Sequence, residues 1–335
     1  MEELLKTCVI GGGAWGTALA QVCSHNNRET TLWCREEGLA EEINTLHRNK
    51  LYLGDIPLNT SINATSDLEI ALKAQILLIV TPAQALRSIL EQIKPFIHAD
   101  HILVLCSKGV EITTNKLISQ VAHDVLPDTN LAILSGPNFA KEIARGKPAA
   151  TTLACENQET GKTLQNLIAT PYFRPYLTED IIGAQVAGAF KNVIAIACGI
   201  AHGLNLGESA RASLVTRGLA EISRLGVAMG AKAETFMGLC GVGDLMLTCS
   251  SEQSRNFSLG LAVAQGQSLE SLMQKSGSSL SEGVHTAHTA LDLAEKYGIE
   301  MPISRAVYNC LHGDLSLDDA MKDMLNRKVK EELDF

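Results

Sequence analysis

The stretch TCVIGGGAWG, residues 7–16, decides the fold expected for this chain. A short apolar, β-branched run, Thr7–Ile10, leads directly into three glycines and then into a helical pattern at Ala14–Ser24. Gly11, Gly13 and Gly16 match G-x-G-x-x-G, in which the glycines make a tight turn, admit a pyrophosphate and let helix and strand pack closely. The pyrophosphate would lie on the first amides of the helix. The stretch therefore predicts a strand, turn and helix that bind a dinucleotide.

Downstream of this unit, apolar runs alternate with helical patterns. Strands are expected at Thr30–Cys34, Ile76–Val80, Ile102–Cys106, Leu131–Leu134, Ala149–Cys155 and Tyr172–Tyr176, and helices at Asp67–Lys73, Ala83–Gln92 and Thr113–His123. The continuous runs ILLIV and ILVLC are typical of parallel strands that are buried on both faces. This alternation predicts an α/β fold, with an N-terminal Rossmann-like, doubly wound, mainly parallel sheet.

The pattern changes after about Thr178, where long segments rich in Ala, Gly and Leu replace the β-branched runs. They predict an all-α C-terminal domain that opens with a helix over about Ile182–Ala201. The expected organisation is a dinucleotide-binding domain at residues 1–181 and an all-helical substrate-binding domain at residues 182–335.

Composition excludes several classes of function. The 335 residues include 28 Lys and Arg against 37 Asp and Glu, a formal charge of −9, which disfavours binding to nucleic acid or to an anionic membrane. The nine cysteines are odd in number and show no C-x-x-C pair, which indicates reduced thiols and no metal site. The N-terminus lacks a signal-like apolar stretch, and the apolar segment Val186–Ala201 is shorter than the roughly 20 residues of a membrane span. A cytoplasmic protein without stable membrane insertion is expected.

Two lysines stand in unusual places. Lys108 follows the strand ILVLC, and ligands of open α/β sheets bind beyond the carboxyl ends of strands, although a surface loop lysine is an equally open interpretation. Lys191 interrupts the apolar helix GAFKNVIAIA. It either reaches water or pairs with a structural acid, or else it faces ligand and transfers protons. Asp244, in GVGDL, either orients Lys191 or caps a helix.

Two further positions suit anions. Ser254, Arg255 and Asn256 open a helical pattern, so helix amides and a guanidinium could bind one phosphate group. An ordinary capped helix with a surface arginine is the alternative. Arg35 ends the second strand, where an arginine can pair with the 2′-phosphate of NADP, but the acids that follow it also fit a solvated charged loop.

These features occur in one ordered set of sequence blocks, which resembles the NAD(P)-dependent glycerol-3-phosphate dehydrogenases of bacterial type from Val9 to about Asn326. The blocks are VIGGGAWGTALA (9–20), SKG (107–109), LSGPNFAKEIA (134–144), GAFKNVIAIACG (188–199), TRGLAEISRLG (216–226), FMGLCGVGDLMLTC (236–249) and QSRN (253–256).

The resemblance implies a role for each matching position. Cofactor contacts are implied for Gly11, Gly13, Ala14, Trp15, Gly16, Arg35, Lys108, Ala140, Arg255, Leu280 and Glu282. Substrate contacts are implied for Lys108, Gly136, Asn138, Lys191, Asp244, Ser254, Arg255 and Asn256. Lys191 would be the proton donor and acceptor, with Lys108 and Asp244 as the other catalytic residues, and no metal is implied. Asn138 departs from the small hydroxyl residue that is commoner at this position in the family.

The implied reaction moves a hydride between NADP(H) or NAD(H) and dihydroxyacetone phosphate, giving sn-glycerol 3-phosphate for glycerophospholipid synthesis. The family tendency implies a homodimer. Two alternatives are a reductase of the β-hydroxyacid or ketopantoate type, whose substrate carries a carboxylate, and a redox sensor that binds NAD(P) without chemistry. The QSRN block disfavours the first, and the combination of Lys108, Lys191 and Asp244 disfavours the second.

Overall fold

A computed structural model of the chain describes residues 5–276, 282–313, 315–328 and 331. The backbone forms two compact units. The first holds the described residues up to Lys108 together with Ile118–Ile181, and the second holds Gly109–Leu117 together with the described residues from Ile182 onward.

The first unit is built on an eight-stranded sheet. Its strands are β1 (Thr7–Ile10), β2 (Thr30–Trp33), β3 (Ile62–Thr65), β4 (Ile76–Ile79), β5 (Ile102–Leu105), β8 (Asn130–Ser135), β9 (Ala149–Ala154) and β10 (Phe173–Thr178), with β6 (Val110–Glu111) and β7 (Lys116–Leu117) forming a separate hairpin. The spatial order is β10-β9-β8-β5-β4-β1-β2-β3, and every neighbouring pair is parallel except β8 with β9. Strands β9 and β10 therefore run opposite to the other six.

Strand β1 lies between β2 and β4, so the chain winds outward from it in both directions. All four residues of β1 are buried, as are all four of β4, because helices cover both faces of this part of the sheet. The glycine turn therefore leaves the sheet at its topological switch point, which is where open α/β sheets bind ligands.

The α-helices in the described part of the first unit are α1 (Ala14–Cys23), α2 (Glu37–Leu46), α3 (Lys50–Leu53), α4 (Leu68–Ala71), α5 (Leu86–Ile93), α6 (Ile118–Val125), α7 (Ala140–Ala144) and α8 (Gln158–Ile168). Helix α1 packs against β1 and also against α7. On this side of the sheet, Leu19, Leu134 and Leu153 belong to one continuous apolar core.

The second unit is helical apart from the hairpin. Its helices are α9 (Ile181–Gly203), α10 (Glu208–Ala228), α11 (Asp244–Cys249), α12 (Arg255–Ala264), α13 (Leu269–Ser276), α14 (Glu282–Tyr297), α15 (Pro302–His312) and α16 (Leu317–Leu325). The hairpin β6–β7 packs on α14, and Asn115 of its turn donates from Nδ2 to Oδ2 of Asp292 at 3.0 Å.

Helix α9 is the long buried element of this unit. It is long and apolar enough by composition to span a membrane. However, 89% of its most apolar 18-residue stretch is buried inside the protein, as in the core helix of a soluble protein. Helix α12 crosses it at glycines. A Cβ on Gly199 would lie 2.0 Å from the carbonyl oxygen of Phe257, and one on Gly260 would lie 2.1 Å from that of Ile196. Only glycine permits this approach, which seats the start of α12 against α9.

The expected fold class, a mainly parallel Rossmann-like sheet followed by a helical C-terminal part, is confirmed. The helix expected at Thr113–His123 is wrong in its first five residues, which form the turn and second strand of the hairpin, so α6 begins only at Ile118. The left-handed backbone of Asn115, with φ of 54°, suits the hairpin turn and is incompatible with a helix there. The short strand β3 has no counterpart among the expected strands.

Candidate active site

The turn after β1 has the shape that its glycines predict. Gly11 has φ of +130°, and a Cβ at this position would lie 2.8 Å from the carbonyl oxygen of Val80. A Cβ on Gly16 would lie 1.8 Å from the carbonyl oxygen of Gly11, so α1 can approach the strand only with glycine there. Gly13 differs, since nothing lies within 4 Å of the position of its Cβ. The backbone at Gly13 is therefore accessible to a ligand.

The first turn of α1 suits an anionic ligand. Gly13 is its N-cap and supplies no side-chain hydrogen bond, and the amides of Ala14 and Trp15 open the helix. Trp15 Nε1 is buried without a hydrogen-bond partner among the described residues. Ala140 is the first residue of α7, which packs on α1. These features fit a dinucleotide pyrophosphate at this end of the helix.

Arg35 was expected to end the second strand but lies two residues beyond β2, and its side chain is 82% exposed. Its guanidinium donates from Nη2 and Nε to Oε1 of Glu36, at 2.6 and 2.9 Å. A 2′-phosphate would have to compete with this adjacent carboxylate, although an exposed ion pair is worth only about 0–1 kcal/mol.

Lys108 and the SGPN turn come together in the first unit. Lys108 Nζ donates to the carbonyl oxygen of Gly136 at 3.0 Å. Gly136 follows β8, and a Cβ there would lie 2.8 Å from Thr151 Oγ1. Both polar atoms of the Asn138 carboxamide are buried and have no hydrogen-bond partner in the described part of the chain. The segment after β8 thus supplies a carbonyl that accepts from the Lys108 ammonium and, two residues later, an unpaired carboxamide.

Lys191 is buried in the second unit and pairs with Asp244. Its Nζ donates to Oδ1 of Asp244 at 2.5 Å and to Oγ1 of Thr248 at 2.8 Å, and the lysine and the aspartate are 7% and 1% exposed. Thr248 in turn donates to the carbonyl oxygen of Asp244 at 2.6 Å. The carboxylate compensates the buried ammonium charge, and the two contacts fix the direction of its N–H bonds.

The Cys249 thiol near this pair does not compete for its protons. Cys249, next to Thr248, is hydrogen-bonded to Cys198 and buried, and both effects hold the pKa of its thiol well above the usual value. It therefore stays a neutral thiol beside the ion pair.

The start of α12 is organised as its sequence predicts. Ser254 is the N-cap, and its side chain accepts a hydrogen bond from the amide of Phe257 at 3.3 Å. Arg255 is exposed in the first turn, whereas Asn256 is buried and accepts from the amide of Gly283 at 3.1 Å. A Cβ on Gly283 would lie 2.9 Å from the carbonyl oxygen of Asn192, so the start of α12, the start of α14 and the helix that carries Lys191 meet here.

Glu282 is the first residue of α14 and lies next to this contact. Leu280, which was expected to share its role, lies outside the described residues. Among the residues that are described, no group of three or more His, Cys, Asp or Glu side chains could hold a metal ion.

Sequence reasoning missed two polar residues of these clusters. Thr248 lies four residues after Asp244, which is one helical turn, so the spacing from a suspected acid was an available signal. Thr151 lies within an apolar strand and gave no signal, because its position beside Gly136 depends on the antiparallel pairing of β9 with β8.

Comparison with known proteins matches both parts of the chain. Residues 6–161 match the N-terminal model of NAD-dependent glycerol-3-phosphate dehydrogenase, and residues 180–322 match the C-terminal model. The chain is 51% identical over 327 residues to the glycerol-3-phosphate dehydrogenase [NAD(P)+] of Parvibaculum lavamentivorans, with 98% of each chain covered. It is 48% identical to that of Rhodospirillum rubrum, with 97% of this chain and 93% of the relative covered.

A solved structure agrees with these relatives. The crystal structure of glycerol-3-phosphate dehydrogenase from Coxiella burnetii superposes with a TM-score of 0.91 at 36% identity, covering 96% of this chain and 99% of the other. The glycine turn, the buried Lys191–Asp244 pair and these matches lead to one conclusion: the chain belongs to the NAD-dependent glycerol-3-phosphate dehydrogenase family.

Proposed function

We propose that this chain catalyses the reversible reduction of dihydroxyacetone phosphate to sn-glycerol 3-phosphate, with NADPH or NADH as the reductant. Relatives that match this chain over nearly the full length of both proteins are named for this activity, with NAD(P)+ as the nucleotide. The observation that carries the proposal is the buried Lys191, whose ammonium group is held by Asp244 and Thr248. A charged lysine in a protein interior is costly unless it has a partner, so its burial beside Asp244 supports a chemical role.

Lys191 is proposed as the proton donor in reduction. The reduced nicotinamide supplies a hydride to C2 of the substrate when it is bound, and negative charge then develops on the C2 oxygen. The ammonium of Lys191 gives that oxygen a proton, and Asp244 and Thr248 orient the donor. In the direction of oxidation, neutral Lys191 accepts the proton from the C2 hydroxyl.

Substrate binding is assigned to two groups of residues. Arg255 and Asn256 bind the phosphate at the start of α12, where Ser254 keeps the first turn in place. Lys108, Gly136 and Asn138 are the second group, proposed for the remainder of the substrate, and Lys108 stabilises the developing negative charge.

The cofactor is assigned mainly to the glycine turn. Gly11, Gly13, Ala14, Trp15 and Gly16 hold the pyrophosphate region, since Gly13 is open and Gly11 and Gly16 set the shape. Further contacts are proposed from Arg35, Lys108, Ala140, Arg255, Leu280 and Glu282.

Three wider assignments complete the proposal. The product carries the glycerol phosphate backbone of phospholipids, so the enzyme would supply glycerophospholipid synthesis. The described cysteines are free and, except for the partly buried Cys310, buried, which supports a reducing cytoplasmic location. A homodimer is supported by large apolar side chains that the second unit exposes, among them Val227, Met237 and Met246.

The direct test mixes purified protein with dihydroxyacetone phosphate and follows the loss of reduced-nicotinamide absorbance, with NADPH and NADH in parallel. Ketopantoate and unphosphorylated dihydroxyacetone serve as matched substrates. Oxidation that requires the phosphate supports the proposal. Turnover of ketopantoate alone would assign a sister reductase, and nucleotide binding without turnover of any substrate would indicate a sensor. Light scattering after size exclusion tests the dimer.

A further inference from the structure

Buried polar atoms without partners are concentrated at one edge of the sheet in the first unit. In the described part of the chain, seven buried side-chain nitrogen or oxygen atoms have no hydrogen-bond partner, and they belong to Trp15, Thr81, Asn115, Ser135, Asn138 and Thr151. All but Asn115 are in the first unit. Trp15, Thr81, Ser135 and Asn138 lie at or just beyond the carboxyl ends of β1, β4 and β8.

Thr151 reaches the same edge from the opposite direction. It is the third residue of β9, which runs antiparallel to β8, so the start of β9 lies beside the end of β8. Ser135 pairs with Thr152 in the register of the two strands. The next position along brings Thr151 opposite Gly136, and a Cβ on Gly136 would lie 2.8 Å from Thr151 Oγ1. The absence of a side chain at Gly136 therefore makes room for the Thr151 hydroxyl.

The buried Thr151 hydroxyl makes no hydrogen bond in the described protein that would stabilise the fold. Thr151 is 0% exposed, and an unpaired buried hydroxyl costs free energy that an apolar side chain of the same shape would not cost. The two polar atoms of the Asn138 carboxamide, two residues beyond Gly136, are also buried and unpaired among the described residues. Neighbouring unpaired polar groups at a ligand-binding edge are explained most simply by a ligand group that pairs with them.

The chemistry of these atoms selects the kind of group. Asn138 offers two N–H donors and a carbonyl acceptor, and Thr151 offers an O–H that both donates and accepts. A phosphate or a ketone only accepts hydrogen bonds and would leave Asn138 Oδ1 unpaired. A hydroxyl group both donates and accepts, so its hydrogen-bonding capacity matches what these two side chains lack.

We propose that Thr151 is a further ligand-binding residue, which acts with Asn138 to bind an aliphatic hydroxyl group of the substrate or the cofactor. This inference rests on the proposed function. The free hydroxymethyl group of dihydroxyacetone phosphate and a ribose hydroxyl of the nicotinamide nucleotide share the required chemistry.

The test compares Thr151→Val with Thr170→Val. Valine keeps the shape of threonine and removes the hydroxyl. Because the Thr151 hydroxyl has no partner in the described protein, Thr151→Val should keep or raise the melting temperature while kcat/KM for dihydroxyacetone phosphate falls about fivefold. Thr170 is also buried, at 8% exposed, but its Oγ1 accepts from the amide of Phe173 at 2.9 Å. Thr170→Val should therefore lower the melting temperature and leave kcat/KM unchanged.

The kinetic constants identify the source of the hydroxyl. A raised KM for dihydroxyacetone phosphate alone places the contact on the substrate, and a raised KM for the reduced nucleotide alone places it on the cofactor. Thr151→Ser, which restores a hydroxyl, should recover most of the loss. A Thr151→Val enzyme with wild-type kinetics, or one whose loss follows a fall in melting temperature like that of Thr170→Val, would overturn the inference.

Failure of the proposed function has a different signature. In that case the wild-type protein itself does not oxidise NADPH or NADH with dihydroxyacetone phosphate. Nucleotide affinity is then compared between wild type and Thr151→Val, where weaker binding by the variant supports the cofactor contact and equal binding overturns the inference.

Discussion

Glu221 makes the stability of the helical unit depend on pH. It lies on α10, is 2% exposed, and accepts hydrogen bonds from the amide of Ile303 at 2.7 Å and from that of Ser304 at 3.3 Å. It thereby caps α15 from a neighbouring helix. Burial outweighs these hydrogen bonds and raises the pKa of its carboxyl from 4.5 to about 7.

The sign and size of the effect follow from the two pKa values. Below pH 4.5 the carboxyl is protonated in both the folded and the unfolded state, and its full stabilising contribution is present. Between pH 4.5 and about 7 the unfolded carboxyl ionises while the folded one keeps its proton, so stability falls as pH rises. At about 1.4 kcal/mol per pH unit, the loss across this window is about 3 kcal/mol.

The perturbation that isolates this effect is Glu221→Gln. Glutamine cannot ionise, and it loses one of the two acceptor oxygens, which lowers stability by an amount that does not depend on pH. The free energy of unfolding is measured by urea titration of the helical ellipticity from about pH 4.5 to about pH 8.5. The wild type should lose about 3 kcal/mol relative to Glu221→Gln as pH rises. The exposed Glu270→Gln is the matched control for removing a carboxylate that is not buried. A constant difference between wild type and Glu221→Gln, or one that favours the wild type as pH rises, would refute the reasoning.

Three further outcomes are expected. Lys191→Ala should lower kcat by roughly 100-fold or more. Lys191→Arg keeps a charge beside Asp244 but does not release a proton at neutral pH, so its kcat should fall by a similar factor. Near-normal turnover by folded protein of either variant would exclude proton transfer by this residue. Arg255→Ala should raise KM for dihydroxyacetone phosphate by roughly 10-fold or more with little change in kcat, as loss of a charge-assisted contact predicts. An unchanged KM in steady-state kinetics would show that Arg255 does not bind the substrate phosphate. Gly16→Ala places a Cβ 1.8 Å from the Gly11 carbonyl oxygen, so it should destabilise the folded chain by about 1–3 kcal/mol and weaken NADPH binding. Thermal melts measure the stability, and quenching of tryptophan fluorescence measures the NADPH binding. A variant with wild-type stability and NADPH affinity would show that the turn is looser than described.

The sequence predicted those parts of the fold whose causes are local. The TCVIGGGAWG stretch was recognisable because its glycines stand at fixed spacing between an apolar run and a helical pattern, all within ten neighbouring residues. The apolar runs that became β4 and β5 were recognisable because strands buried on both faces need continuous apolar sequence. Residues 113–117 were wrongly assigned to a helix because the two strands of the hairpin are only two residues long, too short to show a periodicity of two.

For the candidate site, prediction succeeded where a residue conflicted with its own surroundings. Lys191 stood out as a charge in an apolar helix, and its contact with Asp244, one of the alternatives left open by the sequence, is present in the structure. The catalytic roles of both residues stay predictions. Thr151 could not be found in this way, because a threonine in a strand conflicts with nothing and its unpaired hydroxyl becomes evident only in three dimensions.

The hairpin Gly109–Leu117 has a consequence for dissecting the molecule. The chain enters the helical unit at residue 109, returns to the sheet at 118 and crosses again at 182, so the two units are joined by three crossings. A fragment that begins at Ile182 lacks the strand pair that packs on α14 and leaves Asp292 without Asn115. A chimera that exchanges the helical unit between relatives must therefore carry residues 109–117 along with the C-terminal half, and the donor of this short segment sets the backbone directly after Lys108.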